Sequence, residues 1–413
     1  MSIVSIVGIE GVGVEEAVRQ AVELAGGFPP RVTGADTVLV KPNVVNPSPS
    51  GSGNITDARV TEAVTRMLLK LGTRRVIIGE GSSVGYDFVG LKDTMHCLEV
   101  SGTADVAGRL GVELVDLNRD ERVQVEAPDA YVMDRFAVAR TAYEADAIVC
   151  LPVVKTHVRT GITCGLKNMK GVLPGDEKKR THQLGLDRGI VDLNRVMHPA
   201  FVVVDAIVGR QGTHTSPEDS VRLGRVLAGT DVVAVDTVCA AIMGFAPRDI
   251  HHVQLAAEAG LGMADLDEIT VRGESVADAV HPFVPYQEAA RERFGAATII
   301  EEKACTGCMG EMLSTFIYLR RAGYEDRLKD LTLILGTPEE IPPLEGTPVV
   351  VGKCARAHRE RGIWVPGCPP HGTAITDAAC QALGIDVEEV HRAIDDLHDF
   401  SYEEVSSDAG GEG

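Results

Sequence analysis

Four cysteines in the last third of the chain have types and spacing that suit a metal centre. Cys305 and Cys308 form a C-T-G-C pair, whereas Cys354 and Cys368 follow as single residues. Each lies where a predicted strand gives way to a loop rich in glycine or proline, which lets several backbones approach one point. Four thiolates are the ligand set of a 4Fe-4S cluster and also of a structural zinc site. The single short pair favours the cluster over zinc, and a set of reduced thiols without metal is the third alternative.

The residues around these cysteines extend the pattern. C-T-G-C precedes a predicted helix, and the later cysteines lie in the stretch GKCARAHRERGIWVPGCPPH. Residues 297–385 thereby resemble the small-subunit module of nickel–iron hydrogenases and the subunit that carries the terminal cluster of respiratory complex I. The resemblance implies a flavodoxin-like domain that binds one 4Fe-4S cluster and carries out one-electron chemistry. The implied ligands are Cys305, Cys308, Cys354 and Cys368.

The densest group of basic side chains follows the strand predicted at residues 146–154. Residues 155–189 are predicted as a long, glycine-bearing loop, and loops of this length in a compact domain are usually functional or mobile. Ligands of open α/β sheets bind beyond the carboxyl ends of strands, where this loop begins. Basic side chains gathered here, in a chain of net charge −20, predict an anionic ligand such as a carboxylate or phosphate. A solvated basic loop is the alternative. The candidate residues of the segment are Lys155, His157, Lys167, Asn168 and His182.

Further candidates lie at the ends of two other predicted strands. Lys41 and Asn43 end the strand TVLVKPN at a flexible loop, a position suited to contact with an anion. Asp205 ends the strand AFVVVDA, where a carboxylate faces the predicted crevice and can orient a histidine or bind a metal. The expected catalytic residues are His157, Lys167, His182 and Asp205, and the expected cofactor-binding residues are Lys41, Asn43, Lys155 and Asn168.

Several longer motifs resemble a known family. VLVKPNVV, the K-T-H…G-L-K-N-M-K-G loop, VVVDAIVG and TDVVAVDTVCAAIMG resemble domain of unknown function 362 over most of residues 35–245. Members of that family often carry a ferredoxin-type cysteine run, which the hydrogenase-like module replaces here. Over a short match, the loop also resembles the N-terminal domain of nickel-pincer lactate racemases. That resemblance implies that His157 and His182 act as acid and base or as metal ligands, and that Lys167 holds a cofactor.

The elements that position these residues follow an α/β pattern. Apolar strand-like runs alternate with amphipathic helical stretches, and 413 residues are too many for one ordinary core. We expect a larger three-layer α/β domain with a ligand crevice at residues 1–290, and a smaller flavodoxin-like 4Fe-4S domain at residues 296–400. The polar, glycine-rich residues 401–413 are expected to form a flexible tail.

Composition limits the partners and the compartment. The 40 basic and 60 acidic residues produce a field that repels nucleic acid and anionic lipid headgroups. No stretch approaches the ~18 consecutive apolar residues of a membrane span, and the N-terminus lacks a signal-peptide pattern. We therefore expect a cytoplasmic protein with reduced thiols. Of the nine cysteines, Cys150, Cys239 and Cys380 lie in apolar or helical runs and are expected in the core.

These features favour an iron–sulfur redox enzyme or electron-transfer protein. Its cluster is expected to deliver single electrons to an anionic substrate or cofactor in the N-terminal crevice, with a redox protein as partner. A second anionic cofactor or a metal is a further expectation for that crevice. Two alternatives remain open at this point: a racemase or isomerase of the pincer-nickel type with a structural cluster, and a non-catalytic electron-carrier or assembly subunit. The enzyme class favoured is an iron–sulfur oxidoreductase.

Overall fold

The computed structural model describes residues 2–83, 93–214, 216–304, 306–370 and 372–398. The chain divides into two compact units, Met1–Ala289 and Ala290–Gly413. In each unit, helices alternate with the strands of a sheet, so the predicted α/β class is confirmed.

The first unit contains a large mixed sheet, a separate hairpin and helices against both faces of the large sheet. Its strands are β1 (Ile3–Gly8), β2 (Thr37–Pro42), β3 (Arg75–Glu80), β4 (Glu113–Asp116), β5 (Arg122–Glu126), β6 (Arg135–Ala139), β7 (Ala147–Leu151), β8 (Val153–His157), β9 (Gly161–Thr163), β10 (Phe201–Arg210), β11 (Ser220–Gly229) and β12 (Thr270–Gly273). Its helices are α1 (Val14–Leu24), α2 (Pro30–Thr33), α3 (Ala58–Lys70), α4 (Thr94–Val100), α5 (Thr103–Leu110), α6 (Arg140–Glu144), α7 (Gly165–Asn168), α8 (Gly175–Leu184), α9 (Leu186–Val196), α10 (Val232–Ile242), α11 (His251–Glu258), α12 (Val276–Ala279) and α13 (Tyr286–Phe294), which ends in the second unit.

Parallel pairing in the large sheet places several strand ends at one edge. The order is β12-β1-β11-β10-β7-β2-β3-β4, and β8 pairs with both β10 and β9. Strands β10, β7, β2, β3 and β4 are parallel to their neighbours in that series, whereas β11 is antiparallel to both β1 and β10. Pro152 separates β7 from β8, and proline has no backbone N–H to donate to a neighbouring strand. The first half of β10 therefore pairs with β7 and the second half with β8.

The two faces of the sheet are both apolar, which makes three layers. Val38 and Val40 of β2 belong to a buried cluster with residues of α1 and α3. Leu39, between them, points to the other face and joins a cluster with residues of α9, α10 and α11. Strands covered on both faces have continuous apolar runs, as VLV in β2 does.

The prediction of a long loop at residues 155–189 is wrong. Its residues form the end of β8, strand β9, helices α7 and α8, a 3-10 turn at Met169–Val172 and the start of α9. The segment is mostly buried because distant side chains satisfy its polar groups. The Asp236 carboxylate, for example, accepts hydrogen bonds from the backbone N–H groups of Gly165 at 2.7 Å and Leu166 at 3.1 Å.

Among its described residues, the second unit contains a four-stranded parallel sheet, the end of α13 and three further helices. Its strands, which pair in chain order, are β13 (Thr298–Glu302), β14 (Thr332–Gly336), β15 (Val349–Val351) and β16 (Ile363–Val365). Its helices are α14 (Thr306–Arg321), α15 (Gly372–Leu383) and α16 (Val387–His398). This strand order differs from that of the expected flavodoxin-like domain, in which the first strand lies between the second and the third. The expected tail at residues 401–413 lies outside the described residues.

Candidate functional site

Polar side chains meet at the carboxyl edge of the parallel strands of the first unit. Lys41 lies near the end of β2, Glu80 ends β3, Lys155 lies in β8, and Asn168 ends α7. Ligands of open α/β sheets bind beyond this edge. The polar side chains thus lie where a ligand was predicted, and the ligand site itself stays a prediction.

Lys41 and Glu80 form a buried ion pair. The Lys41 side chain is 0% exposed, and its ammonium lies 2.9 Å from Oε2 and 3.0 Å from Oε1 of Glu80. The ammonium also donates to Asn168 Oδ1 at 3.3 Å, and Glu80 Oε2 accepts from the backbone N–H of Val44 at 3.2 Å. These extra hydrogen bonds offset part of the cost of burying two charges. Lys41 thus has an internal anion, and its predicted contact with a ligand stays a prediction.

A second set of hydrogen bonds joins this pair to β8. Asn43 Nδ2 donates to Asn168 Oδ1 at 2.9 Å, and Asn43 Oδ1 accepts from Lys155 Nζ at 2.8 Å. Lys155 also donates to the carbonyl oxygen of Asn54 at 2.7 Å. Burial, followed by the positive charge of Lys167, lowers the pKa of Lys155 to about 7. All four predicted cofactor-binding residues share this network: Lys41, Asn43, Lys155 and Asn168.

A small cavity, which we call the lysine pocket, lies beside the network. Its volume is about 100 Å³, and its lining includes Thr163, Lys167, Lys170, Lys178 and His182. Glu80 also lines the pocket, but its carboxylate is already paired with Lys41. The three lysines therefore make the pocket electropositive, which favours an anion.

Lys167 and Lys178 differ in how their amines are used. Lys178 Nζ donates to the carbonyl oxygens of Gly81 at 3.0 Å and Ser82 at 2.9 Å, and to Asn118 Oδ1. Lys167 is partly exposed and makes no hydrogen bond or ion pair within the ranges that the structure describes. Burial lowers the pKa of Lys167 to about 8. Lys167 is therefore available to a ligand, whereas Lys178 holds a loop.

The two predicted catalytic histidines are neutral. Burial, reinforced by the charge of nearby lysines, holds the pKa of both His157 and His182 well below the usual value. His157 Nδ1 accepts hydrogen bonds from the backbone N–H groups of Arg159 and Thr160, both at 3.2 Å. A neutral ring that accepts at Nδ1 carries its proton on Nε2. The charge of Lys167 lowers the pKa of both rings, so the three residues of the expected His–Lys–His set lie near one another.

Asp205 is held by backbone amides. Its side chain is 2% exposed, and its carboxylate accepts from the N–H groups of Asp57 at 2.7 Å and Ile207 at 3.0 Å. Burial raises the pKa of Asp205 to about 7. The carboxylate therefore anchors the start of α3 to β10, and its predicted role towards a histidine or a metal stays a prediction.

Two glycines allow the loops around the pocket to approach one another. A Cβ atom on Gly171 would lie 1.8 Å from Glu80 Oε1 and 2.5 Å from Lys41 Nζ. A Cβ atom on Gly81 would lie 2.6 Å from both the Gly171 carbonyl oxygen and Lys178 Nζ. Glycine is therefore required at both positions for the ion pair and the loops to pack as they do.

Several residues of the site are not among those predicted from the sequence. Glu80 ends a strand, which is the same signal that selected Asp205. Thr163 lines the pocket with a hydroxyl oxygen that is buried and has no hydrogen-bond partner among the described residues. His214 Nε2 lies 3.0 Å from Thr156 Oγ1, and Lys178 lies on the polar helix α8. No sequence signal identifies these last two, because their positions depend on packing.

Three of the four predicted cluster ligands are described by the structure. Cys305 lies outside the described residues. Cys308 is buried near the start of α14, Cys354 is exposed after β15, and Cys368 has intermediate exposure after β16. Within the described ranges, no group of three or more His, Cys, Asp or Glu side chains could hold a metal ion. The four-cysteine set therefore stays a prediction.

The backbone around these cysteines nevertheless converges. A Cβ atom on Gly352 would lie 3.0 Å from Cys308 Sγ and 3.7 Å from the carbonyl oxygen of Gly367. Lys353, next to Cys354, donates its N–H to the Gly367 carbonyl oxygen at 2.8 Å. Gly352, with φ of +87°, thus provides a space beside the Cys308 thiol where the segments bearing the two later cysteines meet. Thiolates on converging glycine-rich segments are a donor set that fits an iron–sulfur cluster.

The remaining described cysteines belong to the core. Cys150, Cys239 and Cys380 are buried, which confirms the expectation from sequence. Burial raises the pKa of the Cys150 thiol to about 12, and Asn168 Nδ2 donates to its sulfur at 3.2 Å. A thiol with such a pKa stays protonated, so Cys150 is a packing residue.

Comparison with known proteins finds a match to a family model within the first unit. Residues 38–241 match the family described as "Domain of unknown function (DUF362)". This DUF362 match confirms the resemblance predicted over most of residues 35–245. It includes every predicted site residue of the first unit and ends before the cysteine module.

Two proteins are similar over parts of the chain. The "Thylakoid-associated protein sll1697" of Synechocystis sp. is 26% identical over 253 residues, which are 60% of this chain and 74% of that protein. Among solved structures, the lactate racemase apoprotein from Thermoanaerobacterium thermosaccharolyticum has a TM-score of 0.38 and 13% identity. That similarity covers 59% of this chain and 57% of the racemase chain. A likeness at this level indicates nothing about activity.

None of the helices in the described ranges has both the length and the apolar character to span a membrane.

Proposed function

We propose that this protein is an iron–sulfur oxidoreductase that acts on an anionic small molecule. The observation that carries the proposal is the convergence of the Cys354 and Cys368 segments on the Cys308 thiol beside Gly352. In this proposal Cys305, Cys308, Cys354 and Cys368 hold a 4Fe-4S cluster. When bound, such a cluster supplies one-electron transfer. Two α/β units, one with the cysteines and one with the pocket, fit a protein that supplies electrons to a bound ligand.

The lysine pocket supports the anionic substrate. Lys167, Lys170 and Lys178 line it, and the charge of its one carboxylate, among the lining residues described, is neutralised by Lys41. A chain of net charge −20 that keeps three ammonium groups around one small cavity favours a negatively charged occupant. An apolar cavity of about 150 Å³ accommodates benzene, so ~100 Å³ suits a ligand of about four to six heavy atoms.

A basic surface beside Cys354 supports a protein partner with an acidic surface. We call residues 353–361 the basic segment, because four of its side chains are basic and one is acidic. The basic ones are all exposed: Lys353, Arg356, Arg359 and Arg361. Positive charge next to an exposed cluster ligand attracts an acidic electron-carrier protein and speeds its association. We infer that such a carrier delivers one electron at a time to the cluster.

Metal analysis of the anaerobically purified chain tests the proposal. We expect about four iron and four acid-labile sulfide per chain, with an EPR signal after reduction by dithionite. About one zinc and no sulfide would make the cysteine site structural and would overturn the redox function. Nickel retained by the first unit would instead support the racemase alternative.

A further inference from the structure

The amines around the lysine pocket are not equivalent. Lys41 is paired with Glu80. Lys155 donates to Asn43 Oδ1 and to a backbone carbonyl, and Lys178 donates to two backbone carbonyls and an amide oxygen. An amine whose hydrogens are already donated to protein acceptors is a poor nucleophile, because attack on a carbonyl carbon would break those hydrogen bonds. This applies also to Lys155, although burial lowers its pKa to about 7. These three lysines therefore serve the structure of the site.

Lys167 has the features of a reactive amine. It lines the pocket with intermediate exposure and makes no hydrogen bond or ion pair within the described part of the chain. Burial lowers its pKa to about 8, so a useful fraction of the amine is unprotonated near neutral pH. Lysines that are desolvated in this way form Schiff bases with carbonyl substrates.

The rest of the pocket matches an anionic carbonyl compound. Lys170 and His182 line the same cavity and can hold a carboxylate. Thr163 Oγ1, on a side chain 2% exposed, has no protein partner among the described residues, so its hydroxyl can donate to a carbonyl oxygen. An unpaired buried hydroxyl costs free energy unless a ligand or water satisfies it.

We propose that Lys167 captures a small 2-oxo acid as an imine in the lysine pocket. This inference rests on the anionic ligand proposed above. The amine nitrogen bonds to the carbonyl carbon, and the C=O bond is replaced by C=N. The oxygen leaves as water with the two protons of the neutral amine, so no oxidant or reductant is consumed. Lys170 and His182 hold the carboxylate, and the Thr163 hydroxyl stabilises the oxygen as charge develops on it.

Reductive trapping in the full-length protein tests the inference. Glyoxylate, the smallest 2-oxo acid, is added with sodium cyanoborohydride, which reduces imines, and the modified lysine is located by peptide mass mapping. We expect one adduct per chain, on Lys167. Lys167→Arg keeps the positive charge, cannot form the imine, and should lower the yield of adduct at least ~10-fold. Lys70→Arg, a change at an exposed lysine of α3, is the matched control and should leave the yield unchanged.

Binding of inorganic phosphate separates this inference from the anion pocket. Phosphate that slows labelling of Lys167 in the wild-type protein supports both. A different outcome is that phosphate binds to both wild type and Lys167→Arg, but glyoxylate forms no adduct on Lys167. That outcome overturns the imine and still supports the anion pocket. Adducts spread over exposed lysines, with no protection by phosphate and no phosphate binding, overturn both. The wild-type map alone decides the imine if Lys167→Arg does not fold.

Discussion

Glu80 neutralises Lys41 inside the protein, and the charge of the lysine pocket therefore depends on other residues. The pair is nearly inaccessible, with side-chain exposures of 0% and 3%. Removing one partner of such a pair leaves an uncompensated buried charge. The free charge that faces the pocket belongs to Lys167, whose amine has no partner within the described residues. Two lysines in one site thus have different roles that follow from their neighbours.

The cluster assignment predicts a specific loss of iron at Cys368. Cys368→Ser removes one proposed thiolate, so we expect bound iron to fall from about four per chain to less than about one. Cys380→Ser, in the buried part of α15, is the matched control and should keep the iron. Iron and sulfide analysis of the two variants makes the comparison. Equal iron in Cys368→Ser and wild type would remove Cys368 from the ligand set.

The raised pKa of Asp205 predicts that the free energy of unfolding depends on pH. Its pKa is raised from 3.8 to about 7 in the folded protein, so protonation stabilises the fold, and this stabilisation is lost as pH rises through 7. Each pKa unit corresponds to about 1.4 kcal/mol, which makes the effect on the order of 1–3 kcal/mol between pH 5 and pH 8. Asp205→Asn cannot titrate, so its stability relative to wild type should improve over that interval.

Urea unfolding at several pH values measures this difference. Wild type and Asp205→Asn share all other titrating groups, so the difference between their unfolding free energies isolates Asp205. A difference that stays constant from pH 5 to pH 8 would contradict the buried, proton-binding carboxylate.

At the scale of elements, the site depends on loops that are brought together by glycine. Gly171 lies against the Lys41–Glu80 pair, and its missing Cβ leaves room for the Glu80 carboxylate. We expect Gly171→Ala to lower the free energy of unfolding by about 1–3 kcal/mol, because the added methyl group forces the ion pair or the loop to move. Phosphate binding to the pocket should weaken in the same variant.

Gly108→Ala is the matched control for that change. Gly108 lies within α5, and a Cβ atom added there would meet no other atom within 4 Å. This position should therefore tolerate alanine or gain up to ~1 kcal/mol of helix stability. Urea unfolding measures the free energy of unfolding of both variants and of wild type. Equal stability of Gly171→Ala and wild type would show that the loop can move without cost.

The elements also show what sequence can predict. The strand expected at TVLVKPN is observed at Thr37–Pro42, because a short apolar run between turns is a local signal. The loop expected at 155–189 was wrong because its polar residues are buried by partners far away in sequence, as Lys155 is by Asn43, 112 residues earlier.

The residues of the candidate site also divide into those with a local sequence signal and those placed by distant contacts. Lys41, Asn43 and Lys155 were selected because they lie at strand ends, and parallel pairing brings strand ends together. Lys178 was not selected, since α8 has no apolar stripe and its amine is buried by contact with Gly81 and Ser82. Residues whose position depends on one tertiary contact leave no periodic signal in the sequence.

At the scale of the whole molecule, positive charge is local in a strongly acidic chain. The net charge is −20, yet the lysine pocket and the basic segment each concentrate cations. Attraction of this kind acts over about one Debye length, ~8–10 Å at physiological salt, so a local patch acts on a partner even when the net charge repels it. The basic segment should therefore decide the rate at which an acidic carrier reduces the cluster.

Charge reversal in the basic segment tests this expectation. In Arg356→Glu/Arg359→Glu, the rate of reduction by a reduced, acidic 2Fe-2S ferredoxin should fall at least ~10-fold at low salt, and the difference should shrink as salt rises. Arg320→Glu/Arg321→Glu changes two exposed arginines of α14 and alters the net charge equally, so it controls for long-range repulsion. Stopped-flow absorbance follows the cluster, and the rate of reduction by dithionite should be the same in both variants. Equal loss in the two double variants would mean that net charge, and not the surface beside Cys354, governs the encounter. Loss of the dithionite reaction would instead point to a damaged cluster.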